Sequence, residues 1–235
     1  MNHGIPSTED WQPAGAAFDG AFSWERGMIK VLVAFALTLF GVSFGSVAAA
    51  EHMASPVTGG SCANLRIASV NTAVGANTTI SRAVERDLDG ARYCVVEGVI
   101  APVIRFEARL PVEGWSGRYL QTGCGGLCGT LSILVEHADS CVPVRAHGVV
   151  LASTDMGHEG MGGAWAARNP ATRADFGHRG VHLTALAVKA LIREYYGRPV
   201  QYSYISGCSD GGREALIEAQ RYPKNSTASP PAHRR

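Results

Sequence analysis

Charge is scarce in this sequence. Asp, Glu, Lys and Arg make up 17% of its 235 residues, and the formal net charge is +1. That excludes the basic stripe with which a nucleic-acid binder neutralises phosphates. Charge runs and internal repeats are also missing, which argues against a disordered tail or a solenoid. The longest apolar run, from Val31 to Val47, is short and rich in Gly and Ser for a spanning helix of ~20 residues. What is abundant is apolar residues, at 46%, and glycine, with 28. This composition suits a packed α/β protein with many turns, built as one large domain or two small ones.

The apolar run has a context. Met28-Ile29-Lys30 precedes it, and Ala48-Ala49-Ala50 follows it before Glu51. A positive start, an apolar core and small residues at the cut form a secretory signal peptide over residues 28–50. Residues 1–27 then read as an upstream extension from a misplaced start codon. The expected location is secreted or periplasmic, with no membrane attachment once the signal is cleaved. All six cysteines, Cys62, Cys94, Cys124, Cys128, Cys141 and Cys208, follow the cut. An even count in an exported chain reads as disulfides, with connectivity left open. Cys124 and Cys128 have the spacing of half a zinc site, but a structural zinc needs a second ligand pair, so no metal is expected.

Along the mature chain, Tyr93–Ile100 and Ile104–Leu110 are rich in β-branched and aromatic residues and read as strands. The second alternates cleanly, placing Ile104, Phe106, Ala108 and Leu110 on one face. Gly117–Gln121 is a short strand running into the glycine cluster Gly123–Gly129. Gly148–Ser153 is continuously apolar, as in a strand buried on both faces of a parallel sheet. Val181–Tyr196 carries Leu183, Leu186, Ala187, Ala190 and Leu191 at helical spacing, and Gly197-Arg198-Pro199 stops it. Gln201–Ser206 is a strand, and Gly212–Tyr222 a helix with Ala215, Leu216 and Ala219 facing inward. Strand, helix, strand, turn, helix predicts an α/β fold with a mostly parallel sheet and right-handed crossovers.

The turn between that last strand and helix reads Ser206-Gly207-Cys208-Ser209-Asp210-Gly211-Gly212. Gly-x-Ser-x-Gly between strand and helix is a nucleophile elbow, which exposes the Ser209 hydroxyl above the sheet. The glycines remove Cβ atoms that would collide with the adjoining elements, and the helix start aims its free N–H groups at the reacting oxygen. Catalysis there needs a base to take the serine proton. It also needs a second oxyanion donor, for which Gly125 or Gly126 is the candidate beside the backbone N–H of Asp210. The plainer reading makes Gly123–Gly129 a stapled turn. Asp155 and His158 lie past a strand end where ligands bind, though capping accounts for them. Polar packing accounts for His178 and His182, and Trp165 lines a pocket or sits in a surface loop.

At this point the sequence resembles the tannase and feruloyl esterase family of α/β-hydrolases. The resemblance rests on Gly207-Cys208-Ser209-Asp210-Gly211-Gly212-Arg213 with Glu218-Ala219-Gln220-Arg221-Tyr222-Pro223. It is supported by Ser153–His158, Asp175–Arg179 and the Gly125-Gly126 loop, and it runs from about Cys62 to Pro223. It implies hydrolysis of phenolic acid esters by Ser209, with Asp210 and Gly125 or Gly126 holding the oxyanion. It further implies a disulfide between Cys208 and a cysteine beside the catalytic histidine, and a lid domain that often carries calcium. The expected partner is a small aromatic ester. A noncatalytic exported α/β binding module is the alternative.

The sequence departs from that pattern after Pro223. Acid and base should follow the nucleophile in that order. Beyond Ser209 the only histidine is His233, in a tail (residues 224–235) with no strand or helix pattern. In one coding of that tail, a single inserted base after the Lys224 codon yields Lys-Glu-Phe-Asp-Gly-Ile-Ala-Ala-Gly-Ala-Pro-Ala, the family's continuation. The expectation is therefore a frameshifted tail after a partial catalytic domain (residues 51–223), with the lid, the triad acid and histidine, and the Cys208 partner all absent.

Overall fold

A computed structural model describes residues 58–225, apart from 69, 136 and 137. The signal peptide at 28–50, the extension at 1–27 and residues 226–235 with His233 lie outside the described residues.

The chain begins with a 3-10 helix, Cys62–Ile67, and a single-turn helix α1, Asn71–Val74. Strands β1 (Thr78–Leu88), β2 (Ala91–Ile100) and β3 (Ile104–Pro111) follow as an antiparallel meander. Asp89 and Gly90, both at positive φ (53° and 85°), join β1 to β2 in the tight turn whose twist matches the strands it connects. The chain continues through β4 (Arg118–Thr122), the short helix α2 (Val142–Arg145), β5 (Val149–Thr154) and α3 (Pro170–Ala174). One π-helical turn, Asp175–Arg179, leads into the long helix α4 (Gly180–Tyr196), then β6 (Tyr202–Ser206) and α5 (Asp210–Arg221).

The six strands form one sheet in the order β1-β2-β3-β5-β4-β6. β4 runs parallel to both β5 and β6, giving the β-α-β-α series expected around the elbow. The three preceding pairings are antiparallel, so the sheet is mixed. Among the described residues no helix is long and apolar enough to cross a membrane.

Each layer follows from residue periodicity. β3 buries Ile104, Phe106, Ala108 and Leu110 on one face, as its alternation requires. β5 is buried along its whole length: Val150 and Ala152 pack under α4, while Val149 and Leu151 join Leu120 in a second cluster. The core-facing side of α4 is rotated from the expected stripe. Thr184, Val188, Leu191, Ile192 and Tyr195 are its buried centre, whereas Leu183, Leu186 and Ala190 are partly buried at its edge. Gly197 ends the helix in the left-handed conformation at φ 66°. In α5 the expected inward residues are corrected: Ala215 is buried, but Leu216 is 58% exposed and Ala219 is on the surface. Gly211, Gly212, Glu214 and Glu218 take the inner face instead.

Two disulfides form among the described cysteines, Cys62–Cys94 and Cys124–Cys128. Cys141 and Cys208 are exposed thiols, so four of the six cysteines are paired, and Cys208 has no disulfide partner among the described residues. Cys62–Cys94 closes a loop with a sequence separation of 32 and ties the N-terminal 3-10 helix to the core of β2. A double Cys62→Ser/Cys94→Ser variant should therefore lose about 3 to 4 kcal/mol of unfolding free energy, mostly through the freed denatured chain. Urea unfolding in parallel with the wild type measures this, and an unchanged midpoint contradicts it.

Candidate active site

β6, the turn Gly207-Cys208-Ser209 and α5 form a sharp strand-turn-helix. Ser209 is the N-cap of α5 at φ 56° and ψ −117°, a conformation L-residues rarely adopt. Local hydrogen bonds hold it there. Gly212 N donates to Ser209 O at 3.1 Å, and Gly211 N donates to Cys208 O at 3.0 Å. The Ser209 side chain is exposed, and no hydrogen bond to it is made among the described residues. The sequence places a serine at this strained corner, and the structure gives it an elbow's geometry.

The glycines are needed because three stretches of backbone touch. A Cβ on Gly123 would lie 2.5 Å from Gly211 Cα, and one on Gly207 would lie 2.7 Å from the same atom. Gly123 N donates to Ser206 O at 2.8 Å, extending the β4–β6 ladder into the loop. Gly211 N also donates to Cys124 O at 2.8 Å. The predicted oxyanion loop and the predicted elbow are thus laced together. Gly125 and Gly126 are exposed on that loop, with Gly126 at φ 59°. Asp210 opens α5, where first-turn N–H groups have no partner within the helix.

Other candidates fall elsewhere. Asp155 is fully buried and accepts from Arg105 Nε at 2.6 Å, Arg105 N at 3.0 Å and Gly157 N at 2.8 Å. That is an anchor for the end of β3. The His158 ring pairs through Nε2 with Leu127 O at 2.7 Å and stacks on Trp165 at 4.0 Å. His158 and Trp165 line a cavity of about 460 Å³ with Arg105, Asp155 and Thr172, so Trp165 does line a pocket. His178 pairs with Tyr222 Oη at 3.0 Å, and His182 with Glu218 Oε1 at 3.0 Å. Both partners belong to the far end of α5. Nine residue steps along the helix, roughly 13 Å of axial rise, separate Ser209 from Glu218. Neither imidazole is bonded to Ser209.

Sequence reasoning missed Glu214. It is 1% exposed, and its Oε1 accepts the Cys124 N–H at 3.0 Å, holding the loop from inside the helix. Its Oε2 has no partner. Burial pushes its carboxyl up to about 8, the Cys124 N–H opposes the rise, and the neighbouring Asp210 adds to it. Asp210 is itself gripped by Arg213, from Nε to Oδ1 at 2.7 Å and from Nη2 to Oδ2 at 2.9 Å. Cys124, Cys128, Asp210 and Glu214 converge so that their ligand atoms all lie within 4.8 Å of one another. The available signal was spacing: Asp210, Glu214 and Glu218 recur every fourth residue on the face that carries Gly211 and Ala215.

A family profile described as "Tannase and feruloyl esterase" matches residues 89–227, more than half of the chain. A "Probable feruloyl esterase" of Arthroderma benhamiae is 36% identical over 120 residues, 47% of this chain and 21% of that protein. A "Mono(2-hydroxyethyl) terephthalate hydrolase" of Piscinibacter sakaiensis is 30% identical over 152 residues, 57% of this chain and 25% of that one. The chain therefore spans about a fifth to a quarter of the length of these relatives. In fold it is similar to the crystal structure of feruloyl esterase B from Aspergillus oryzae, with a TM-score of 0.57 at 22% identity. That match covers 68% of this chain and 37% of the other.

Two outcomes test this geometry. Gly123→Ala or Gly207→Ala forces backbone apart and should cost about 1 to 3 kcal/mol. Gly125→Ala, with open space around its Cβ, should stay within about 0.5 kcal/mol. Thermal melts of the three variants compare them directly. The second concerns pH in the disulfide-bonded chain. An unfolded glutamate ionises near ~4.3, whereas folded Glu214 keeps its proton to about 8. The folded state binds more protons between those values, so this carboxyl makes stability fall as pH rises through that window. Glu214→Gln should remove that loss and gain on the wild type toward about pH 8, read from urea midpoints at both ends.

Proposed function

Because the chain belongs to the tannase and feruloyl esterase family, we propose that it carries the nucleophile half of a serine hydrolase acting on esters of aromatic acids. The observation that carries the reading is Ser209, exposed at φ 56° between β6 and α5, with a glycine loop bonded to its elbow. Ser209 Oγ attacks the ester carbonyl, and the backbone N–H of Asp210 with that of Gly125 or Gly126 receives the oxyanion. An aromatic acyl group agrees with the names of two relatives, a feruloyl esterase and a terephthalate monoester hydrolase. The Cys62–Cys94 bridge supports an exported protein, secreted or periplasmic after removal of residues 28–50. Among the described residues no site fits calcium, which the resemblance assigns to a lid. Among the described residues the one cluster of metal-ligating side chains contains two cysteines, and calcium takes oxygen ligands.

The proton on Ser209 needs an acceptor, and no described histidine is bonded to it. On this reading a polypeptide of these 235 residues alone is predicted to turn over little ester, because oxyanion stabilisation without a base leaves catalysis orders of magnitude below a full triad. The test uses two polypeptides, the 235 residues as given and residues up to Pro223 joined to the downstream frame read from genomic DNA. Hydrolysis of methyl ferulate should be absent from the first. In the second it should be present and fall at least ~1,000-fold on Ser209→Ala. Soluble, Ser209-dependent turnover by the first overturns the missing base. A folded second polypeptide that neither turns over nor labels at Ser209 with a fluorophosphonate favours the noncatalytic binding module.

A further inference from the structure

Cys124 and Cys128 carry only half of a ligand set in the local sequence. The fold supplies another half from α5. Four sulfur–oxygen separations cross between loop and helix. Cys124 Sγ lies 2.9 Å from Glu214 Oε1 and 3.6 Å from Asp210 Oδ2. Cys128 Sγ lies 3.2 Å from Asp210 Oδ2 and 3.7 Å from Glu214 Oε1. Around tetrahedral zinc, with Zn–S near ~2.3 Å and Zn–O near ~2.1 Å, each such edge is about 3.6 Å. Three of the four crossing separations lie within about 0.4 Å of that edge, and the Cys124 Sγ to Glu214 Oε1 one is shorter. The sulfurs are joined to each other, so the edge between them opens only when the disulfide is reduced.

A second observation points to a cation. Glu214 is 1% exposed, and its Oε2 has no partner. A buried carboxyl with one oxygen unpaired is costly, and a cation reached by either of its oxygens offsets that cost. Asp210 is held for the purpose: Arg213 grips both its oxygens, and the Arg213 guanidinium lies 4.4 Å from the Phe176 ring centroid. A carboxylate oriented by an arginine while a second lone pair meets a metal is an ordinary outer-shell arrangement. Two thiolates select a borderline-soft ion over calcium or magnesium.

We propose that the dithiol form of this chain binds one zinc-type divalent cation through Cys124, Cys128, Asp210 and Glu214. The site forms when a phosphine reductant opens the disulfide. The phosphorus is oxidised to phosphine oxide, taking its oxygen from water, and the two protons of that water leave the sulfurs as thiols. Cation binding then displaces the protons from both thiols and from Glu214. The disulfide staples only the loop to itself. The metal joins the loop to the helix that begins beside Ser209, by bonds from both.

Cobalt(II) is the probe, since thiolate ligation and tetrahedral geometry each give it a distinct absorption. The full 235-residue chain, reduced with the phosphine, should bind one cobalt per chain. A thiolate-to-cobalt band in the near ultraviolet and intense tetrahedral bands in the red should both appear, and zinc should displace them. Cys128→Ser and Glu214→Gln should each weaken cobalt affinity at least ~10-fold. Glu214→Gln preserves shape and the acceptor for Cys124 N–H, and circular dichroism confirms that each variant is folded. The double variant Cys141→Ser/Cys208→Ser should bind cobalt as the wild type does. The proposal is overturned by no cobalt binding, by a weak octahedral spectrum, or by a band that survives Cys128→Ser and vanishes with the double variant. It is equally overturned if mass spectrometry finds the Cys124–Cys128 bond intact in folded, phosphine-treated protein.

Discussion

Backbone lies directly against backbone where Gly123, Gly207 and Gly211 meet with no room for a Cβ. Much else is a consequence of that approach. β4 and β6 must be neighbours, because Gly123 continues β4 and Gly207 continues β6. Their parallel pairing then requires crossovers, and the helical segments between β4, β5 and β6 supply them. With the two strand ends side by side, a loop leaving one and a helix leaving the other are in hydrogen-bonding distance. Gly211 N to Cys124 O at 2.8 Å is the bond that results.

Bringing a helix start so close to a loop leaves little volume for side chains, and the residues that fit are small or polar. The inner face of α5 therefore carries Gly211, Gly212, Ala215 and two carboxyls instead of an apolar stripe. Glu214 and Glu218 are tolerated because each has a specific donor, the Cys124 amide for one and His182 with Asn225 for the other. Stability is exchanged for position at these two sites. A leucine in place of Glu214 would bury more apolar area and release the loop.

These facts explain what the sequence made legible. Strands β2 through β6 and helices α4 and α5 were readable because their residues are dominated by one environment, such as the unbroken apolar run of β5 or the alternation of β3. β1 was not read, although Asp89-Gly90 marked its turn. A bulge between Ile80 and Arg82 shifts the register, so Ile80 and Ala83 both face the core and the period of two is lost. Hydrophobic spacing does not mark the inner face of α5, because its packing partner is a loop with N–H donors. Cysteine connectivity was open on combinatorial grounds, and proximity settled it. The elbow itself was legible because its glycines answer to local geometry.

That locality bears on how a corner of this kind is held. A non-glycine residue at φ 56° costs on the order of 1–3 kcal/mol and persists only where its surroundings over-determine it. At Ser209 the determinants are all near at hand. The Gly212 and Arg213 N–H groups in the first turn of α5 donate to its carbonyl, Gly211 N donates back to Cys208 O, and Cys124 O accepts from the same amide across the loop. None of these bonds involves an imidazole or a second carboxylate beside the hydroxyl. The strained corner is therefore a property of the sheet and the glycine loop, and it exists before any base reaches the serine. A proton acceptor brought to that hydroxyl would meet a corner already shaped.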